Sequence, residues 1–342
     1  MATLGKRGIV LMNLGSPDST SVKDVRRYLN EFLMDERVID IPWLQRTLLV
    51  KGIITPFRAT KSAHAYKTIW TKDGSPLIAL TKQLQQAVQQ KVNDPVEIAM
   101  RYGNPSPAVA FDALMNKVKG LEEVVLFPLY PHYALASYET AVVYAQEIHK
   151  KKKYPFKLKI VPPYFNDPGY IKALSESMRP WLQQDYDHIL FSYHGIPARH
   201  LHNKDVSQVQ QCVQAGTCLA AGATKNKNCY RYEVFETTRL VTEALNIPKE
   251  KHSLSFQSRL GKGWLEPFTD IRLEQMPKEG IKKLLIASPA FVSDCLETLE
   301  ELEIRGKEIF MNAGGESYQM IPCMNVQPKW VEFVADNVNH QW

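Results

Sequence analysis

The chain has 342 residues, 44% of them hydrophobic and 23% charged, ordinary globular proportions that exclude a disordered or low-complexity polymer. That length exceeds what a single core usually supports, so two lobes are expected. The net charge of +6 is thinly spread. Arginines do not alternate with aromatics and no nucleic-acid motif occurs, which excludes a nucleic-acid platform and leaves a mild field for anionic ligands or an acidic membrane surface.

From the amino terminus, the chain passes directly into a strand without an export signal, and no apolar run approaches the ~20 residues needed to span a bilayer. A cytoplasmic protein is expected. Five cysteines, an odd number, then favour free thiols or metal ligation over disulfides. Apolar or β-branched runs at 8–14, 96–100, 124–128, 158–161, 188–192, 253–257 and 284–288 read as strands, and 21–33, 80–92, 137–149 and 232–245 read as helices. This alternation predicts an α/β fold with parallel sheets covered by helices on both faces, arranged as lobes 1–160 and 161–342. Two segments interrupt the rhythm. Residues 34–76 carry Trp43, Leu44, Leu48 and Leu49 among Arg46, Lys51 and Arg58, the composition of a helical excursion, or of an apolar lip beside a cleft or at a membrane surface. Residues 198–231 hold three of the cysteines in an otherwise polar stretch and read as an insertion. The run Lys150–Lys153 reads as a solvated helix end.

A weak internal repeat links the halves. "LMNLGSP" (11–17) aligns without gaps with "FSYHGIP" (191–197), and "LFPLYPHYALASYET" (126–140) resembles "IASPAFVSDCLET" (286–298). Two matches in the same order point to duplication. Active groups are then expected beyond the carboxyl ends of the strands, in a cleft between the lobes. At the matched strand end the first half has Leu14 and the second His194.

His194 is therefore the leading candidate, since an imidazole held by a following Gly-x-Pro can accept a proton or bind a metal. In "SDCLETLEELE" (293–303), helical spacing would put Asp294, Glu297 and Glu301 on one face, either as a capping arrangement or as a path for cations or protons. "SFQSRLGKGWLEPFTD" (255–270) ends a strand in Gln257, Ser258 and Arg259, and its glycines fit neither a dinucleotide fingerprint nor a phosphate loop. Trp264 is either core or a plate for a flat ligand. Cys212, Cys218 and Cys229, with five and ten residues between them, do not match zinc-finger spacing. Iron–sulfur ligation fits if a fourth ligand comes from elsewhere, with Cys295, Cys323, His200 and His202 as candidates.

"LMNLGSP", "AMRYGNPSP", "PLYPHYA", "FSYHGIP", "FQSRLGKGWLEPFTD" and "DCLETLEEL", taken in that order over residues 8–330, resemble the segments of the ferrochelatase family. The resemblance implies two Rossmann-like lobes of chelatase type holding a porphyrin between them, and an enzyme that inserts Fe²⁺ into protoporphyrin IX or coproporphyrin III to make heme. "FSYHGIP" looks like the Gram-negative members, which favours protoporphyrin. By the same resemblance His194 and Glu297 are catalytic and meet the Fe²⁺ substrate, Asp294 and Glu301 extend a proton or metal path, and Leu14, Arg58, Arg101, Tyr102 and Trp264 contact the porphyrin. The insertion resembles a subgroup carrying an internal [2Fe-2S] cluster on Cys212, Cys218 and Cys229. Peripheral contact with the inner membrane is a further expectation. Ala134-Leu135-Ala136-Ser137 departs from the serine- and threonine-rich run of many relatives. The competing readings are a cobalt or sirohydrochlorin chelatase and a heme carrier without catalysis.

Overall fold

A computed structural model describes residues 6–201, 228–259, 261 and 263–339. Contacts divide the chain into two units, one of Met1–Tyr130, Leu135–Pro162 and Val331–Trp342, the other of Pro131–Ala134 and Pro163–Trp330. A single boundary after residue 160 thus becomes one at 162/163 with two segments exchanged. The carboxy-terminal helix belongs to the first unit because its apolar face completes that core: Phe333 meets Phe127 edge-on at 6.4 Å between ring centroids.

The first unit runs β1 (Arg7–Ser16), α1 (Val22–Leu33), α2 (Trp43–Thr47), a π-helical turn (Leu48–Ile54), α3 (Thr55–Ile69), α4 (Pro76–Gln89), β2 (Val96–Gly103), α5 (Pro107–Lys117), β3 (Glu123–Pro128), α6 (Thr140–Lys152) and β4 (Lys157–Ile160). Its four strands form a parallel sheet in the order β2-β1-β3-β4. The central strand explains its place: Ile9, Val10, Leu11 and Met12 are fully buried, the continuous apolar run that a strand covered on both faces requires. Ser21 starts α1 by accepting the Asp24 N–H on its side chain, as a helix-capping serine does.

The second unit runs α7 (Pro168–Met178), β5 (His188–His194), α8 (Tyr230–Leu245), β6 (His252–Gln257), α9 (Thr269–Gln275), β7 (Lys283–Ala287), a π-helix (Glu297–Gly306) continuing into α10 (Lys307–Asn312), and β8 (Ser317–Met320). Its sheet is parallel in the order β6-β5-β7-β8, the same winding as the first. One face packs Leu190, Leu284, Ile286 and Met320 against Leu273, Leu302 and Phe310. The duplication therefore extends to topology, and to detail. Each second strand leaves its sheet through a cis-proline turn, Asn104–Pro105 and Glu266–Pro267. Each proline carbonyl accepts a strand N–H, from Met100 at 2.7 Å and from Phe256 at 2.8 Å.

All seven expected strands are present. The eighth, β8, gives no apolar run to read, because Ser317 and Gln319 interrupt its four residues just after Gly314 and Gly315. Among the described residues, no helix is long and apolar enough to cross a membrane.

Candidate active site at the end of the second sheet

His194 is the last residue of β5, paired with Gln257 at the end of β6. The Gly195 N–H donates to the Gln257 carbonyl at 2.7 Å. A Cβ at position 195 would lie 2.8 Å from that oxygen and 3.4 Å from Cε3 of Trp264, so only glycine lets the strand end so close to its neighbour. Beyond it the chain stays zipped to the Trp264 segment, with Leu265 N–H donating to the Ile196 carbonyl and Ala198 N–H to that of Gly263. Trp264 is thereby held, half-buried, against the peptide that follows the histidine.

The imidazole is half-buried. Its Nδ1 lies 2.7 Å from the Gly195 carbonyl oxygen. A carbonyl only accepts, so Nδ1 carries the hydrogen and Nε2 keeps its lone pair for a proton or a metal. The Tyr230 hydroxyl donates to the backbone carbonyl of His194 at 2.8 Å, and the Phe291 ring lies 6.3 Å from the imidazole.

The acids arrive from the π-helix. Glu297 is half-buried at its first position, and its carbonyl accepts from Gln257 Nε2 at 3.0 Å. The Glu301 carboxylate accepts both the N–H and the hydroxyl of Ser258, which presents the two donors together from a left-handed turn at φ 64°. Burial nevertheless pushes the Glu301 carboxyl above its usual range. Ser258 and a positive charge at His194 work against that shift, and Glu297 works with it. His194, Glu297 and Glu301 thus form one electrostatic group.

Asp294 does not continue this acidic face. It precedes the helix, is 6% exposed, and accepts from the Cys323 N–H, the Thr298 hydroxyl and Asn325 Nδ2. The α-helical spacing that aligned it with Glu297 fails because the helix begins after it and continues as a π-helix. Its carboxylate anchors the loop instead.

In the first unit, Leu14 is half-buried on β1 and Arg58 is exposed on α3. Arg101 and Tyr102 are committed elsewhere: the guanidinium pairs with Asp35 and donates to Thr140, and the Tyr102 hydroxyl donates to Asp35 at 3.0 Å. Tyr102 is fully buried, so the pair forms a wall around Asp35. Cys212 and Cys218 lie outside the described residues. Cys229 is buried immediately before α8, and burial pushes the Cys295 and Cys323 thiols up, which makes them poor fourth ligands for a cluster. Among the described residues no three His, Cys, Asp or Glu side chains gather into a metal-binding group.

A buried polar cluster absent from the sequence reading lies behind Tyr193. His132 Nε2 meets the Thr237 hydroxyl at 2.9 Å, and the imidazole stands edge-on to Tyr193 and Tyr230. Glu233, only 2% exposed, accepts the Tyr133 N–H at 2.6 Å, and burial drives its carboxyl up to about 8. Local pattern carries no signal for it, because the partners lie 105 and 100 residues apart.

Comparison with known proteins agrees with this geometry. The solved structure of SirB from Bacillus subtilis with Fe3+ superposes with a TM-score of 0.56 at 11% identity, covering 97% of this chain and 94% of that one, which shows a shared fold. A curated ferrochelatase from Opitutus terrae is 48% identical over 97% of this chain and 96% of its own length. One from Pseudomonas entomophila is 47% identical over 96% and 97%. The family model described as Ferrochelatase matches residues 6–342, and the chain belongs to the ferrochelatase family.

Proposed function

We propose that this porphyrin chelatase inserts Fe²⁺ into protoporphyrin IX, with Nε2 of His194 accepting pyrrole protons and Glu297 meeting the metal. The observation that carries the reading is the Nδ1 hydrogen bond to the Gly195 carbonyl, which leaves Nε2 as the basic nitrogen. Insertion must strip two N–H protons and deliver a dehydrated cation to a ring that is flat at rest. A site complementary to the bent ring favours the transition state over the planar substrate. Glu301 lies one step behind Glu297 and is displaced above its usual range by burial, so it can relay a proton.

Within the second unit Trp264 offers a porphyrin a flat apolar face; within the first, Leu14 is half-buried and Arg58 exposed, whereas Arg101 and Tyr102 are taken up by Asp35. The test is His194→Ala assayed anaerobically with Fe²⁺ and protoporphyrin. Turnover should fall about 100-fold or more, the scale of a lost general base, with porphyrin affinity kept; undiminished turnover overturns the assignment. Wild-type protein must release more than one equivalent of metalated product, which a heme carrier without catalysis cannot do. Coproporphyrin III in the same assay discriminates the substrates, and the expected preference is for protoporphyrin IX.

We also propose an iron–sulfur cluster held by Cys212, Cys218 and Cys229. A visible absorption band in anaerobically purified protein that disappears in Cys229→Ser supports it; no band in the wild type refutes it. The lip supports a membrane surface as partner. Trp43, Leu44, Leu48, Ile53 and Phe57 are all more than half exposed, Phe57 by 80%. Lys23, Arg26 and Lys51 line a hollow of about 470 Å³ with the α1 residues beside them, a pairing of apolar and basic groups suited to anionic lipid. Flotation with phosphatidylglycerol vesicles, lost in Trp43→Ser/Phe57→Ser, tests this.

A further inference from the structure

Gln257 is 3% exposed and bonds in three directions. Its backbone carbonyl accepts the Gly195 N–H at 2.7 Å. Its side-chain Oε1 accepts from the Ser192 hydroxyl at 2.8 Å. Its Nε2 donates to the carbonyl of Glu297 at 3.0 Å. The first two hold the chain at Gly195, just after His194, and at Ser192, two residues before it, and the third holds the first residue of the π-helix. Gln257 thus bonds to both the His194 strand end and Glu297.

We propose that Gln257 is a positioning residue for metal insertion, a clamp that sets the separation between the His194 imidazole and the Glu297 carboxylate. The inference rests on the reading of those two side chains as the reacting groups. The amide is suited to the task because it offers one acceptor and one donor at opposite corners of a planar group. The Ser192 hydroxyl and the Glu297 carbonyl require that combination. Losing the amide takes that donor from the Glu297 carbonyl and leaves the Ser192 hydroxyl with Thr269 alone, which frees the two sides to relax away from each other. In the first unit the matching position, Arg101, opposite Leu14 by register, reaches Thr140 and Asp35 instead. The clamp therefore exists only where the reacting histidine stands.

The experiment uses full-length protein, Fe²⁺ under anaerobic conditions and protoporphyrin, comparing Gln257→Leu, Gln257→Glu, His194→Ala and Glu297→Gln. Gln257→Leu should lower kcat about 10- to 100-fold, the scale of a reacting group displaced by roughly 1 Å, and leave the porphyrin KM within about twofold. Gln257→Glu supplies the readout that a purely structural role would not move. Its carboxyl donates to the Glu297 carbonyl only when protonated, so its kcat relative to wild type should rise as pH falls. A folded Gln257→Leu protein with wild-type kcat, or with its loss confined to KM, overturns the proposal. A pH-independent ratio for Gln257→Glu overturns it as well, and that arm decides the matter should the leucine variant fail to fold. If His194→Ala or Glu297→Gln retains full turnover, the underlying assignment fails. If both lose turnover while the Gln257 variants keep it, the clamp alone fails.

Discussion

The carboxyl ends of the two central strands are built from the same parts and arrive at opposite chemistry. Near its end β1 carries Leu14, flanked by register on β2 at Arg101, and β5 ends in His194 opposite Gln257. Each sheet end also has a buried threonine at the start of the helix after its third strand, Thr140 and Thr298, hydrogen-bonded to a carboxylate, Asp35 and Asp294. In the first unit the cation Arg101 closes the set into a fully partnered ion pair. In the second, a neutral amide takes the cation's place, and Glu297 and Glu301 follow on the π-helix with no such cation at that position. A duplicated scaffold thus carries a closed ion pair at the end of one sheet and the proposed reacting groups at the end of the other, through the residues at two matched positions.

The most drastic way to erase the difference is His194→Leu, which makes the second sheet end resemble the first. Iron insertion should fall about 10²- to 10⁴-fold, the range for removal of a general base, read as the initial rate of metalloporphyrin absorbance. Arg101→Leu attacks the first end. It strands the Asp35 carboxylate, now served only by hydroxyls and one N–H, and should cost about 3–5 kcal/mol, as loss of one partner of a buried pair does. Urea unfolding checks it, and a loss below 1 kcal/mol would contradict the buried-pair account. Gly195→Ala inserts a Cβ 2.8 Å from the Gln257 carbonyl and should cost about 1–3 kcal/mol, as overpacking does. The same change at Gly261, where a Cβ meets nothing, should leave the melting temperature unchanged.

The smallest expected effect sharpens the contrast between buried carboxylates. Asp35 lies below its ordinary range because hydrogen bonds from Thr140 and Arg37 and the Arg101 charge outweigh desolvation. Its contribution to stability is present above the unfolded value of 3.8 and disappears as pH falls through the lowered folded value. Glu233 has no cation, and burial raises it to about 8. Its contribution is full below the unfolded 4.5, erodes as pH rises, and is gone above about 8. Glu233→Gln should therefore gain on wild type as pH climbs from 5 to about 8.5, by about 2–4 °C in melting temperature. A gain that grows toward low pH would reverse the assignment.

How legible these features were in the sequence depends on the distance over which each is determined. Strands β1 to β7 announce themselves as local apolar runs, and the matched Gly-x-Pro ends exposed the pairing of Leu14 with His194. Glu297 stood out because it opens a helix within its own motif. Asp294 did not read as an anchor, since its partner Asn325 lies 31 residues downstream. Arg101 did not read as a wall residue, because Asp35 lies 66 residues away. The clamp at Gln257 is likewise invisible locally, requiring β5 and the π-helix to be brought together by the sheet.

The π-helix at Glu297–Gly306 also constrains how this chain can change length. Tyr318 donates into its ladder at the Leu302 carbonyl, and Gly306 makes room for that hydroxyl, since a Cβ there would sit 2.7 Å from it. A wide turn holds more residues than an α-helical one. Excising a single residue between Glu297 and Leu302 would remove the residue that a π turn holds beyond an α turn, so the segment would rewind as α-helix with Leu302 seated in the core and Glu297 on nearly the same face. The wide turns are thus where this segment can lose a residue without turning Glu297 away, whereas the same loss from an α-helical stretch would rotate the residues before it by about 100° about the axis.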